Sequence, residues 1–113
     1  MPNQLSESKK RMTYSEFQDV YEDLKKLALD SRQDVSHLIR QATNDYLKKK
    51  QHGLWKAAPY KTQAEIRTSK MRRVSYTEWI DTYAELMKIC DAERLDLSDI
   101  LREAAHTFLA NRK

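Results

Sequence analysis

The sequence holds one glycine and two prolines in 113 residues. An all-β fold needs turn residues every few positions, so this scarcity argues against one. A single cysteine excludes an internal disulfide and fits a reducing, cytoplasmic compartment. No apolar run approaches the roughly 18 residues that span a bilayer, and no signal-peptide core follows Met1, so no membrane partner is expected. A glycine-rich phosphate loop and a nucleophile motif are both missing, and the carboxylates form no recognisable catalytic arrangement, so no enzyme is expected. His37, His52 and His106 share no metal-ligand spacing with one another or with Cys90, so neither a metal nor any other cofactor is expected. A large charge of one sign is missing too. The net charge of +4 permits a polyanionic partner without demanding one.

What the chain does have is 40% hydrophobic and 34% charged residues, polar for a folded protein but too apolar for a disordered one. It also has an internal repeat. Shifted by 62 positions, Arg11 to Gln51 aligns on Arg73 to Lys113 without a gap. Identities include Arg11/Arg73, Tyr14/Tyr76, Glu16/Glu78, Tyr21/Tyr83, Leu24/Leu86, Asp34/Asp96, Ser36/Ser98, Arg40/Arg102 and Ala42/Ala104. Self-similarity of this extent marks two copies of one structural unit.

Each copy opens on a short alternating stretch, Lys9 to Tyr14 or Met71 to Tyr76. Met12 and Tyr14 fall on one face, with Lys9, Arg11 and Thr13 on the other. Val74 and Tyr76 likewise oppose Met71, Arg73 and Ser75. Period two predicts a half-buried strand. Ser15 and Thr77 then predict helix N-caps, with Glu16 and Glu78 in the first turn. Phe17, Tyr21, Leu24 and Ala28, matched by Trp79, Tyr83, Leu86 and Cys90, predict the buried face of a first helix. Asp34 and Asp96 predict the caps of a second helix, whose broad apolar face carries Leu38, Ile39, Ala42, Tyr46 and Leu47, or Ile100, Leu101, Ala104, Phe108 and Leu109. Residues 52–69 have no counterpart and read as a linker with four cations counted through Lys70. Trp55 and Tyr60 within it are expected to pack on the core, and Thr62 to Thr68 to form a helical turn or two. Residues 1–8 read as a mobile polar arm.

A strand–helix–helix unit of about 41 residues is near the lower limit for burying its own core, and a lone strand leaves its hydrogen-bonding groups unpaired. Two units solve both problems if their strands pair antiparallel and four helices close over one face. The expected fold is mainly α with one short two-stranded antiparallel β-ribbon, with repeat 1 over 9–51 and repeat 2 over 70–113.

The segments Asp34-Val-Ser-His-Leu-Ile-Arg-Gln-Ala42 and Asp96-Leu-Ser-Asp-Ile-Leu-Arg-Glu-Ala104, each behind an alternating basic strand and an amphipathic helix, make the chain resemble the ribbon-helix-helix DNA-binding family. The resemblance covers nearly all of both repeats. It implies a tandem pseudo-dimer in one chain, monomeric and able to associate further on DNA. The family's usual glycine between the helices is missing, and Asp stands at 34 and 96 where Ser or Thr is more usual. The implied partner is double-stranded DNA. Lys9, Arg11, Thr13, Met71, Arg73 and Ser75 would read bases in the major groove. The free N–H groups of Val35, Ser36, Leu97 and Ser98 would meet phosphates, joined by Lys10 and Arg72. Arg40 and Arg102 suit a phosphate or a neighbouring carboxylate equally. If the ribbon centred on Arg11 and Arg73, these cations would approach each other and call for an anion between them.

The expected function is sequence-specific duplex binding, with transcriptional repression as the leading role. A plasmid partition or relaxosome accessory protein uses the same ribbon. The reading from another class is a protein-binding module of antitoxin or inhibitor type, whose contact would fall on the linker around Trp55 and Tyr60.

Overall fold

The computed structural model describes residues 8–61 and 70–112. The alternating stretches form strands β1 (Lys9–Phe17) and β2 (Met71–Trp79), paired antiparallel in a two-stranded sheet. After β1 come helices α1 (Gln18–Ser31) and α2 (Val35–Gln51); after β2 come α3 (Ile80–Glu93) and α4 (Leu97–Ala110). The chain is thus mainly helical with one short antiparallel ribbon, as expected. No described helix is long and apolar enough to cross a membrane.

The ladder is centred on Thr13 opposite Ser75, two residues 62 apart in sequence. It therefore does not centre on the arginines: Arg11 faces Thr77 and Arg73 faces Ser15. Beyond the ladder ends, the Gln18 N–H donates to the Lys70 carbonyl at 3.0 Å and the Ile80 N–H to the Ser8 carbonyl at 3.2 Å. Ser8 is thereby tied to the sheet, which shortens the expected arm. Residues 1–7 and Thr62 to Thr68 lie outside the described residues.

The strands run further than expected. Ser15 and Thr77 remain extended, and the cap positions of α1 and α3 fall on Phe17 and Trp79 without a side-chain cap bond. The cause is the alternation itself. Met12 and Tyr14 set an inward parity that Glu16 continues, and Val74 and Tyr76 do the same for Glu78, so both carboxylates enter the core instead of a first helical turn. Both are fully buried. Glu16 accepts from the Tyr14 hydroxyl at 3.1 Å on Oε1, and its Oε2 accepts from the Phe17 N–H at 2.9 Å and lies 2.7 Å from His106 Nε2. Glu78 accepts from the Tyr76 hydroxyl at 3.0 Å, the Trp79 N–H at 3.1 Å and the Thr43 hydroxyl at 2.8 Å. These bonds replace water, without which burial would be prohibitive. Each also holds the following backbone N–H to a carboxylate, which keeps the chain extended where a helix was expected. Burial still raises the Glu78 carboxyl above the ordinary carboxylate range and pushes both tyrosine hydroxyls up.

The core lies under the ribbon. Tyr14 and Tyr76 meet edge to face with centroids 6.4 Å apart, flanked by Met12 and Val74. Below them sit Leu38, Ile39, Ala42 and Tyr46 of α2, and Ile100, Leu101, Ala104 and Phe108 of α4, the broad faces expected. Helix α2 packs under β2 and α4 under β1, so each second helix supports the other half's strand. Leu24 and Ala28 of α1 and Leu86 and Cys90 of α3 are buried, but Tyr21 and Tyr83 are only partly so. The buried Cys90 thiol is pushed up by desolvation.

Asp34 caps α2, accepting from the His37 N–H at 2.7 Å; Asp96 holds the same place before α4 without a side-chain bond. Between the helices of each half, Arg32 (φ 58°) and Arg94 (φ 54°) adopt the left-handed conformation that glycine adopts most readily. Trp55 and Tyr60 of the linker pack on the core as expected. Trp55 stacks edge-on against Tyr46 at 4.7 Å and donates to Glu103 at 2.6 Å, and the Tyr60 hydroxyl donates to Asp23 at 3.0 Å.

Candidate nucleic-acid interface

The outward face of the ribbon carries Lys9, Arg11, Thr13, Ser15 and Phe17 from β1, and Met71, Arg73, Ser75, Thr77 and Trp79 from β2. It holds three cations and no carboxylate, because the only acids of the strands, Glu16 and Glu78, point into the core. All six residues expected to read bases lie on this face, and all are exposed. Thr13 and Ser75 mark its centre, their hydroxyls 3.3 Å apart. Arg11 and Arg73 flank them four ladder positions apart, roughly 13 Å along the strands. That exceeds the Debye length of about 8–10 Å at physiological salt, so their mutual repulsion is screened. The anion expected between two close arginines is therefore not required.

The two ends of the face differ. At one end Lys9 stands opposite Trp79, with Nζ 4.6 Å from the ring centroid. At the other Phe17 stands opposite Met71. Lys10 and Arg72 have the inward parity but lie exposed at the ribbon ends, over the rings of Tyr83 (5.1 Å) and Tyr21 (4.2 Å) respectively. Their charges sit beside the ribbon edges.

The second-helix N-termini also lie at the edges. The Ser36 hydroxyl accepts from the Thr77 N–H at 3.4 Å, which joins the start of α2 to β2. In α2 the His37 N–H is held by the Asp34 side chain and the Leu38 N–H by the Asp34 carbonyl. That leaves Val35 and Ser36 as the open first-turn donors. In α4 the Asp99 and Ile100 N–H groups go to the Asp96 carbonyl, leaving Leu97 and Ser98.

Comparison with protein-family models, curated proteins and solved structures returns no match.

Arg40 and Arg102 are tethers between the halves. Arg40 Nη1 donates to the Thr77 carbonyl and hydroxyl, both at 2.8 Å, and Arg102 Nη1 to the Ser15 carbonyl at 2.8 Å. The equivalence is positional: 40 and 102, like 15 and 77, differ by 62. Sequence reasoning missed this use, as it missed Ser15, Thr77 and Trp79 on the outward face. The signal available was parity, since all three continue the alternation of Lys9, Arg11 and Thr13 or of Met71, Arg73 and Ser75. Among the described residues, no cluster of three His, Cys, Asp or Glu side chains has the geometry of a metal site.

Proposed function

We propose that this chain is a sequence-specific double-stranded DNA-binding protein of tandem ribbon-helix-helix type, acting as a transcriptional repressor. The observation that carries the reading is the outward ribbon face, where cations and hydroxyls stand exposed and every strand carboxylate is turned inward. A two-stranded ribbon fits the B-DNA major groove, about 12 Å wide. Arg11 and Arg73 offer bidentate donors to guanine, Thr13 and Ser75 bond several base edges, and Met71 offers an apolar contact to a thymine methyl. Lys10, Arg72 and the N–H groups of Val35, Ser36, Leu97 and Ser98 meet the flanking phosphates.

The pseudo-dimer reading draws support from pairs of equivalent contacts 62 residues apart: Arg40 on Thr77 with Arg102 on Ser15, and Gln18 on Lys70 with Ile80 on Ser8. One chain then supplies both strands of the reading element.

Selection of bound fragments from a random duplex library, followed by titration in rising salt, tests the proposal. Enrichment of an imperfect inverted repeat is expected, with guanines placed symmetrically. Arg11→Ala and Arg73→Ala should each lose about 1–3 kcal/mol of discrimination at one guanine. Both arginines are exposed, so thermal stability should change by less than about 0.5 kcal/mol. Undiminished specific binding by both variants would overturn the ribbon as the reading element.

A further inference from the structure

The two edges of the ribbon carry the same scaffold and opposite fittings. Beside β2, a cleft of about 340 Å³ opens between α2 and the start of α3, walled by His37, Arg40, Gln41, Asn44, Trp79 and Thr82. The wall contains no carboxylate. Arg40 uses Nη1 on Thr77, and its Nη2 has no hydrogen bond or ion pair among the described residues, although the buried Glu78 carboxyl acts on the guanidinium through space. Lys9 lies over the indole at the rim.

The residues 62 later or earlier occupy the equivalent place beside β1, and there the site is closed upon itself. Asp99 stands for His37 and forms an ion pair with the guanidinium of Arg102 through Nη2, the nitrogen left open on Arg40. Glu103 stands for Gln41 and accepts from Trp55. His106 stands for Asn44, fills the space beside Phe17 and pairs with the buried Glu16. Val20 stands for Thr82 and is fully buried.

We infer that the α2 edge alone is an anion seat, which takes one phosphate of the DNA backbone on Arg40 Nη2 with Lys9 beside it, and that the α4 edge is self-neutralised. The inference rests on the proposed DNA-binding reading and goes beyond it by giving the complex a polarity. Base reading by Arg11 and Arg73 is balanced about the centre, whereas the backbone is gripped harder at the Lys9–Trp79 end. A guanidinium nitrogen already fixed by its neighbour loses little freedom on meeting a phosphate, and such charge-assisted bonds are the strong ones.

The test grafts one edge onto the other. His37→Asp places a carboxylate three residues before Arg40, as Asp99 stands before Arg102, and keeps the backbone bond to Asp34. Asp99→His performs the reverse exchange. Binding to a duplex selected by the wild-type protein is measured by fluorescence anisotropy across a salt series, and phosphates are mapped by ethylation interference. His37→Asp should weaken binding about tenfold and lower the salt slope by about one unit; Asp99→His should raise the slope by about one unit. Interference in the wild type should be stronger at one half-site, and in Asp99→His the difference between the half-sites should narrow. Circular dichroism controls for folding, and a misfolded His37→Asp leaves the gain in Asp99→His to decide. Wild-type binding with symmetric interference and unmoved slopes would overturn this inference alone. A wild-type protein that enriches no duplex would overturn the DNA-binding reading and the inference with it.

Discussion

Replacing Arg32 or Arg94 by glycine should stabilise the protein. Both residues end a first helix in the left-handed conformation, at φ 58° and 54°. For a residue with a Cβ, that conformation costs roughly 1–2 kcal/mol. Glycine avoids the clash but gives the unfolded chain more freedom, which offsets about 0.4–1 kcal/mol. The net expectation is about 0.5–1 kcal/mol per site. The local hydrogen bonds survive, because they are made by main-chain groups: the Arg32 N–H to Leu29, the Gln33 N–H to Ala28 and the Leu95 N–H to Cys90. Both arginine side chains are exposed, so little packing is lost. In a domain of this size the gain corresponds to about 2–6 °C in melting temperature. Thermal and urea unfolding followed by circular dichroism would measure it. Arg32→Ala and Arg94→Ala form the control: they remove the same side chains, keep the strained backbone and should change stability by less than about 0.5 kcal/mol. Glycine variants less stable than their alanine counterparts would refute the argument.

Three further outcomes are expected. Leu24→Ala or Leu86→Ala, each removing a side chain with 0% exposure, should cost about 2–5 kcal/mol in urea unfolding. Glu78 titrates higher in the folded protein than its ordinary value of 4.5, chiefly through burial, so the folded state binds the extra proton and its contribution falls as pH rises above that value. Urea midpoints over a pH series should therefore show wild type losing stability relative to Glu78→Gln above about pH 4.5; a flat or rising difference would contradict this. Light scattering at low micromolar concentration should give one chain of 13.4 kDa without DNA, whereas a stable dimer would indicate pairing between chains.

The order strand, helix, helix was legible twice over, because the 62-residue offset aligned most buried apolar positions with an apolar counterpart. The second helices were the clearest: Leu38, Ile39, Ala42 and Tyr46 fall where helical periodicity puts them. The strand ends were not. Ser15 followed by Glu16 has the local chemistry of a helix start, and the Tyr14 hydroxyl, the Phe17 N–H and His106 together make it favourable to carry that glutamate inward. Those partners arrive from 90 residues away in the case of His106, beyond the reach of a local pattern. The outward residues Lys9, Arg11, Thr13, Met71, Arg73 and Ser75 were readable because alternation alone sorts two faces. Arg40 and Arg102 were not, since an arginine on a helix looks the same whether it meets solvent, a phosphate or a carbonyl. The open and closed edges also escaped sequence reading, because the differences at 37/99 and 41/103 acquire meaning only once the neighbouring ring and guanidinium are in place.

The crossed support of the ribbon, with α2 beneath β2 and α4 beneath β1, has a kinetic consequence. Paired strand residues at the ladder centre are 62 apart in sequence, so the contacts that complete the core are distant along the chain even though most of the protein is helical. Folding speed falls as contacts become less local, and this protein should fold more slowly than a helical bundle of equal length, in the range of mixed α/β domains. The helices can flicker in and out early, but neither half has a finished surface to rest on until the other arrives. In a two-chain ribbon that meeting is bimolecular and slows on dilution. In the proposed one-chain pseudo-dimer the linker would hold the halves at an effective concentration in the millimolar range, and the refolding rate should be the same at nanomolar as at micromolar protein.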